Sequence, residues 1–136
     1  MNEVSTETCS VVVEREFPHP PEKVWRALTQ PHLIGEWLMK TDFRPVVDHR
    51  FDFRFDWGTV DCRVLEADPP KKLTYTWVSG DLNSVVTWTL TPSVTGVRLR
   101  MEQSGFRPDQ PRYFGGSKAG WPAFLDNLQQ VLTLMD

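Results

Sequence analysis

An alternation of phenylalanine and charged residues after position 50 constrains the fold of this chain more than any other feature. Phe51, Phe53 and Phe55 are separated by Asp52 and Arg54, and a period of two places the three rings on one face of a β-strand. Apolar residues continue with the same period through residues 60–64, 73–77, 86–90 and 97–101. The connections between these segments are too short for crossovers, so the sequence predicts an antiparallel sheet with one apolar face.

Helices are predicted at both ends of this sheet. Residues 10–17 indicate a first strand, and two short helices follow it, around Val24–Leu28 and Leu33–Leu38. Near the end of the chain an apolar stripe with helical spacing predicts one long helix after a loop-like segment over residues 105–116. Either the helix begins near Gly120, with Pro122 in its first turn, or it begins earlier and is kinked at Pro122. The stripe consists of Trp121, Phe124, Leu125, Leu128, Leu132 and Met135. Because this stripe must be buried against the apolar face of the sheet, the predicted fold class is α+β.

Two hairpin turns set the predicted register of the sheet. One is placed at Trp57-Gly58 and the other at residues 80–83, because glycine and asparagine favour turns there. With these turn positions, the predicted cross-strand pairs are Arg54 with Asp61, Asp52 with Arg63, Tyr75 with Trp88, and Trp77 with Val86. The first two pairs join opposite charges, which is typical of an exposed sheet face.

Charge and composition exclude several classes of function. The chain has 15 basic and 18 acidic residues and a net charge of −3, which gives no basic face for nucleic acid. No apolar run approaches the roughly 18 residues of a membrane-spanning helix. Residues 1–9 are predicted to be a flexible N-terminus and residues 10–136 a single domain. Cys9 and Cys62 lack the spacing of a redox or metal motif, so two buried thiols in a cytoplasmic protein are expected.

Several motifs resemble a known superfamily. They are PPEKVWRALTQP at residues 20–31, DPPKKL at residues 68–73 before YTW at residues 75–77, GVRL at residues 96–99, and GWPAFLDNL at residues 120–128. In this order the chain resembles the START/Bet v type helix-grip superfamily, SRPBCC, from about Ser10 to Leu134. Within it, the chain is most similar to the heat shock protein 90 ATPase activator homologue (AHSA-like) family. The resemblance implies a curved antiparallel sheet of about six or seven strands wrapped around the C-terminal helix. Gln103 stands where members often carry a histidine.

A ligand site is predicted on the inner face of the sheet. Flat aromatic rings from all parts of the chain converge there with few polar groups, which is typical of a pocket for an apolar molecule. The candidate ligand-binding residues are Trp37, Phe53, Phe55, Tyr75, Trp77, Trp88, Met101, Gln103, Trp121, Phe124 and Leu128. The predicted ligand is a small hydrophobic, aromatic or polycyclic molecule, held by a carrier, sensor or sequestering protein. The same rings could instead fill the space completely.

Two other functions stay open on the sequence. The family resemblance implies a co-chaperone-like module that activates heat shock protein 90, and related folds include enzymes of the cyclase or hydratase type. An enzyme would need a titratable group in the cavity, whereas His19, His32 and His49 fall in loops or at element ends without metal-binding spacing. The sequence therefore predicts no catalytic residue, metal ligand or cofactor. The predicted partners are a small hydrophobic ligand and a chaperone or other protein, and the predicted oligomeric state is a monomer or a weak homodimer.

Overall fold

A computed structural model describes residues 8–135 and shows an antiparallel sheet with three helices. The elements are β1 (Cys9–Phe17), α1 (Pro21–Thr29), α2 (Pro31–Trp37), β2 (Arg50–Phe55), β3 (Gly58–Asp68), β4 (Lys72–Ser79), β5 (Leu82–Pro92), β6 (Val97–Phe106) and α3 (Pro111–Leu134). Residues 1–7 of the predicted flexible N-terminus lie outside the described residues, and Cys9 already belongs to β1. The predicted α+β helix-grip fold is confirmed.

The six strands are hydrogen-bonded in the order β1-β6-β5-β4-β3-β2. Consecutive strands from β2 to β6 form a meander, and β1 returns to pair with β6 at the far edge. Helix α3 contacts β1, β6 and both short helices. Arg15 in β1 donates to Asp126 in α3 over 2.8 Å. The helix buries Trp121, Leu125 and Leu128 against the sheet, as the apolar stripe predicted.

The hairpins have the predicted faces but not the predicted partners. In the first hairpin Phe55 pairs with Gly58, so the two-residue loop is Asp56-Trp57, one position earlier than predicted. Asp52 therefore lies opposite Asp61 and not opposite Arg63. The charge of Asp52 is met along its own strand, where Arg54 Nε donates to Asp52 Oδ1 over 3.2 Å.

The second hairpin differs from prediction in the same way. Ser79 pairs with Leu82, so the loop contains two residues and not four. Tyr75 consequently lies opposite Val86, and Trp77 lies opposite Ser84. Each change moves a partner by two residues, and two residues is the side-chain period of a strand. For this reason every predicted inner-face residue stayed on the inner face.

Helix α3 begins at Pro111, so the loop predicted over residues 105–116 is wrong. Residues up to Phe106 continue β6, and the helix starts after a short turn. Proline is favoured in the first helical turn. Two contacts hold this end: Gln110 Nε2 donates to the Asp81 carbonyl over 2.8 Å, and the Phe114 ring packs 5.6 Å from Phe106. Pro122 therefore lies inside the helix.

Both cysteines are free thiols, but they differ in exposure. Cys62 is buried as expected, whereas Cys9 is exposed because it begins the edge strand β1. Burial raises the pKa of the Cys62 thiol far above its ordinary value. The thiol is therefore protonated at neutral pH and a poor nucleophile. In the described part of the chain, every helix is too short or too polar to cross a bilayer.

Candidate ligand-binding site

A cavity of about 490 Å³ lies at one end of the grip, between α3 and the inner face of the sheet, with lining residues from β2, β4, β5 and β6. It is lined by Phe55, Trp57, Trp77, Ser79, Leu82, Gln103, Arg112, Tyr113, Gly116, Ser117, Gly120, Trp121 and Phe124. Its volume falls within the range of about 300–1,000 Å³ that is typical of small-molecule sites. The cavity opens to solvent, because Trp57 and Tyr113 on its rim are exposed.

Small residues on one face of α3 keep this space free. The spacing of Gly116, Ser117 and Gly120 places them on one face of the helix, and Trp121 lies on the same face. A Cβ atom added at Gly116 would meet nothing within 4 Å, and one at Gly120 would meet only the Phe124 ring, at 3.8 Å. The helix therefore presents backbone where larger side chains would close the grip.

Aromatic rings form the walls of the cavity. The Trp77 and Trp121 rings lie 5.2 Å apart, and the Trp121 and Phe124 rings 5.7 Å apart. On the outer side, Trp57 stacks on Phe55 at 4.9 Å with an angle of 12° between the rings. Trp57 is 67% exposed at the tip of the hairpin. A flat apolar molecule in the cavity would therefore meet rings from both the sheet and the helix.

Gln103 provides a polar group at the buried end of the cavity, where it is 2% exposed. Its Oε1 accepts hydrogen bonds from Trp121 Nε1 and from Ser117 Oγ, both over 2.7 Å. Because an indole N–H can only donate, this contact fixes which end of the amide carries oxygen. Nε2 donates to Ser84 Oγ over 2.9 Å. Within residues 8–135 this is the hydrogen bond that Nε2 makes, which leaves its second N–H without a protein partner.

The structure brings some of the predicted ligand residues to the cavity and leaves others behind it. Those on the cavity wall are Phe55, Trp77, Gln103, Trp121 and Phe124. Those packed in the closed core are Trp37, Phe53, Tyr75, Trp88, Met101 and Leu128. The second group does not line the cavity, because aromatic rings fill the space between the sheet and α3 at that level. Ligand contact by the first group stays a prediction.

Trp88 illustrates how the core is closed. Its ring is fully buried and lies 5.8 Å from Trp37 and 5.6 Å from Trp121, edge to face in both cases. Trp88 Nε1 donates to the Tyr75 hydroxyl over 2.9 Å, and Trp37 Nε1 donates to the Ala27 carbonyl over 2.8 Å. Burial raises the pKa of Tyr75 well above its ordinary value, so this hydroxyl stays neutral. These polar groups are satisfied inside the protein and support the cavity from behind.

Sequence reasoning predicted Trp121 and Phe124 but missed the part of the site that α3 supplies before them. Arg112, Tyr113 and Gly116 fall in the predicted loop over residues 105–116, Ser117 follows that loop, and Trp57 falls in a predicted turn. The spacing from Tyr113 to Phe124 is that of a single helix face, and this signal could have extended the predicted helix. The Tyr113 hydroxyl also lies close over Gly80, where an added Cβ would approach it to 2.7 Å.

The fold and the cavity together define a helix-grip protein with an aromatic-lined cavity at one end. Residues 18–133 match the family described as Activator of Hsp90 ATPase homolog 1-like protein, and the chain belongs to this family. Membership supports a ligand-binding module or a module resembling the Hsp90 activator. No curated protein matches the chain at a significant level.

Solved structures agree with this placement. Protein MLL2253 from Mesorhizobium loti is 59% identical, with a TM-score of 0.90 over 94% of this chain and 99% of that one. DynU16, a protein in the dynemicin biosynthetic locus, is 26% identical, with a TM-score of 0.82 over 92% of this chain and 47% of that one. CalU16 from Micromonospora echinospora is 24% identical, with a TM-score of 0.80 over 97% of this chain and 81% of that one, and shows the shared fold.

Proposed function

We propose that this protein binds a small, largely apolar molecule with at least one flat ring in the cavity at the end of the grip. It acts as a carrier, sensor or sequestering module. The observation that carries the proposal is the face of α3 from Gly116 to Gly120, which leaves the cavity open although aromatic side chains surround it. A chain that needed only a filled core would gain stability from larger residues there.

The cavity offers both stacking and one orienting contact. The rings of Trp77, Trp121 and Phe124 would pack against the ligand, and each aromatic contact contributes about 0.5–1.5 kcal/mol beyond burial. The free N–H of Gln103 would donate to a ligand oxygen and set its orientation. We expect dissociation constants of order micromolar, about −8 kcal/mol. The relative DynU16 lies in a biosynthetic locus, which is compatible with the handling of small molecules.

Two neighbouring glycines provide a matched test of this proposal. Gly115 and Gly116 are both exposed, both lie in α3, and neither has an atom within 4 Å of an added Cβ. Gly116 lines the cavity, whereas Gly115 does not. Gly116→Leu places its side chain in the cavity, and Gly115→Leu makes the same change off it. Both variants gain about 0.5–1 kcal/mol of helix propensity, so lost binding is not caused by unfolding.

The measurements are native mass spectrometry of the purified protein, for a co-purified small molecule, and titration of tryptophan fluorescence with flavonoid-like, polyketide-like and fatty-acid probes. Trp57, Trp77 and Trp121 line the cavity and report on its occupation. We expect Gly116→Leu to weaken binding about tenfold or more, and Gly115→Leu to leave it within about twofold. Unchanged emission with every probe class, or equal effects of the two variants, would refute the proposal.

A second candidate is a protein-interaction module of the Hsp90-activator type. The family description favours it, and Val46 and Val47 are exposed on the loop between α2 and β2. The test is the ATPase rate of a purified Hsp90 with and without this protein. Stimulation that Val46→Asp abolishes and Gly116→Leu leaves intact would favour this candidate over the cavity.

A further inference from the structure

The cavity wall carries one permanent charge, which points to the class of ligand. Resting on the proposed function, we propose that the ligand is an aromatic anion whose negative group pairs with Arg112 at the mouth while its rings pack against Trp77 and Trp121 on the cavity wall. Within the described residues, Arg112 and Tyr113 are the ionisable side chains on the wall, and no carboxylate lines it. A cation at the rim of an apolar cavity favours a ligand with one negative end.

Arg112 has no partner in the protein that would account for its position. Within residues 8–135 its guanidinium takes part in no hydrogen bond or ion pair, while nearby Arg107 donates to Asp109 over 3.1 Å. That hydrogen bond lowers the pKa of Asp109, which marks this carboxylate as engaged by Arg107. Asp81 borders the adjacent depression together with Arg112, without an ion pair between them. The guanidinium is therefore free to bind a carboxylate, sulfonate or phenolate.

The position of Arg112 in α3 also disfavours a role in stability. It lies directly after Pro111 in the first turn, where the helix dipole favours negative side chains, and this first turn contains no acidic residue. A cation there lowers helix stability. The same dipole would add to the attraction of Arg112 for an anionic ligand. This combination is expected of a residue retained for binding.

Two fluorescent dyes with the same rings test the inference. 1-Anilinonaphthalene-8-sulfonate carries a sulfonate, and N-phenyl-1-naphthylamine is its neutral counterpart. We expect Arg112→Gln to weaken binding of the sulfonate dye about fivefold, the largest effect of an exposed ion pair, and to leave the neutral dye unchanged. The control Arg98→Gln removes the same charge from the outer face of β6, where Arg98 is exposed, and should alter neither dye.

Two further readouts separate ligand binding from a structural role. Raising the salt concentration from about 0.05 M to about 0.5 M should weaken binding of the sulfonate dye to the wild type but not to Arg112→Gln, because salt screens exposed charges. Arg112→Gln should also raise Tm by about 1–3 °C, since it removes a cation from the first turn of α3. A structural role for Arg112 would instead lower Tm and weaken both dyes together.

The outcomes distinguish the two proposals. One outcome is that both dyes bind the wild type, that Gly116→Leu weakens the binding of both, and that Arg112→Gln leaves the ratio of their affinities unchanged. In that case the cavity binds ligands but the anion assignment is wrong. If neither dye binds, the proposed function fails for this class of ring, and the anion assignment fails with it. Weaker binding of the sulfonate dye alone in Arg112→Gln, with weaker binding of both dyes in Gly116→Leu, supports both proposals.

Discussion

Replacing Gln103 with leucine removes the acceptor that orders the buried end of the cavity. The side chain accepts from Trp121 Nε1 and Ser117 Oγ and donates to Ser84 Oγ. Leucine has a similar size and none of these groups. The variant therefore tests the hydrogen bonds with little change in packing volume.

The expected loss follows from what each partner can do instead. Trp121 is 3% exposed, so its N–H would be left without an acceptor, at a cost of about 1–3 kcal/mol. Ser117 is half-buried and can turn to water, and Ser84 keeps its own hydrogen bond of 2.7 Å to the Trp77 carbonyl. Leucine regains about 1 kcal/mol by apolar burial. We expect a net loss of about 1 kcal/mol in the free energy of unfolding, within a range of about 0–2 kcal/mol.

Urea denaturation followed by circular dichroism gives the measurement, and a double-mutant cycle assigns the cause. In the Trp121→Phe background the N–H is absent, so Gln103→Leu should cost less, by about 1 kcal/mol. Gln130→Leu makes the same substitution at an exposed position of α3 and should change stability by less than about 0.5 kcal/mol. If the two core substitutions are additive within about 0.5 kcal/mol, or if Gln103→Leu is stabilising, the role assigned to this network is wrong.

Two more predictions concern the core. Trp88→Ala should lower the free energy of unfolding by about 3–5 kcal/mol, because the ring is fully buried, whereas Trp57→Ala at the exposed hairpin tip should change it by about 0.5 kcal/mol. Burial raises the pKa of Cys62, so above about pH 8.5 the thiol ionises in the unfolded chain and stays protonated in the folded one. Stability should therefore fall by about 1.4 kcal/mol at about pH 9.5. Cys62→Ala should abolish that loss and Cys9→Ala, at an exposed thiol, should not; equal alkaline losses in both variants would contradict this assignment.

The sequence predicted the faces of the sheet because side-chain alternation is a local property. Phe51 and Phe53 are buried as the period of two requires. Partners across a hairpin depend on where its loop lies and how long it is. The first loop lies one position earlier than predicted and the second is two residues shorter, and each difference shifts the cross-strand partners by two residues. An even shift keeps every side chain on its face. The residues of the core were therefore predictable from the sequence, whereas the cross-strand pairs were not.

The first half of α3 could not be predicted from local preferences. Gly115 and Gly116 have low helix propensity, and such residues favour a loop when the segment is read alone. In the folded protein, the anchoring of Gln110 on Asp81 and the packing of Phe114 on Phe106 extend the helix to Pro111. These contacts join residues that are distant along the chain, so no local pattern contains them.

The aromatic composition of the inner face was determined by the sequence, but its division into core and cavity was decided by the tertiary structure. Trp77 and Trp88 both occupy inner-face positions in the alternating pattern of the sheet, yet Trp88 is enclosed by other rings whereas Trp77 lines the cavity. The difference depends on what lies across from each ring. Opposite the closed part, α3 presents large side chains such as Leu128, and at the cavity it presents Gly116 and Gly120. Which rings meet side chains and which meet glycines is fixed only when the helix docks on the sheet.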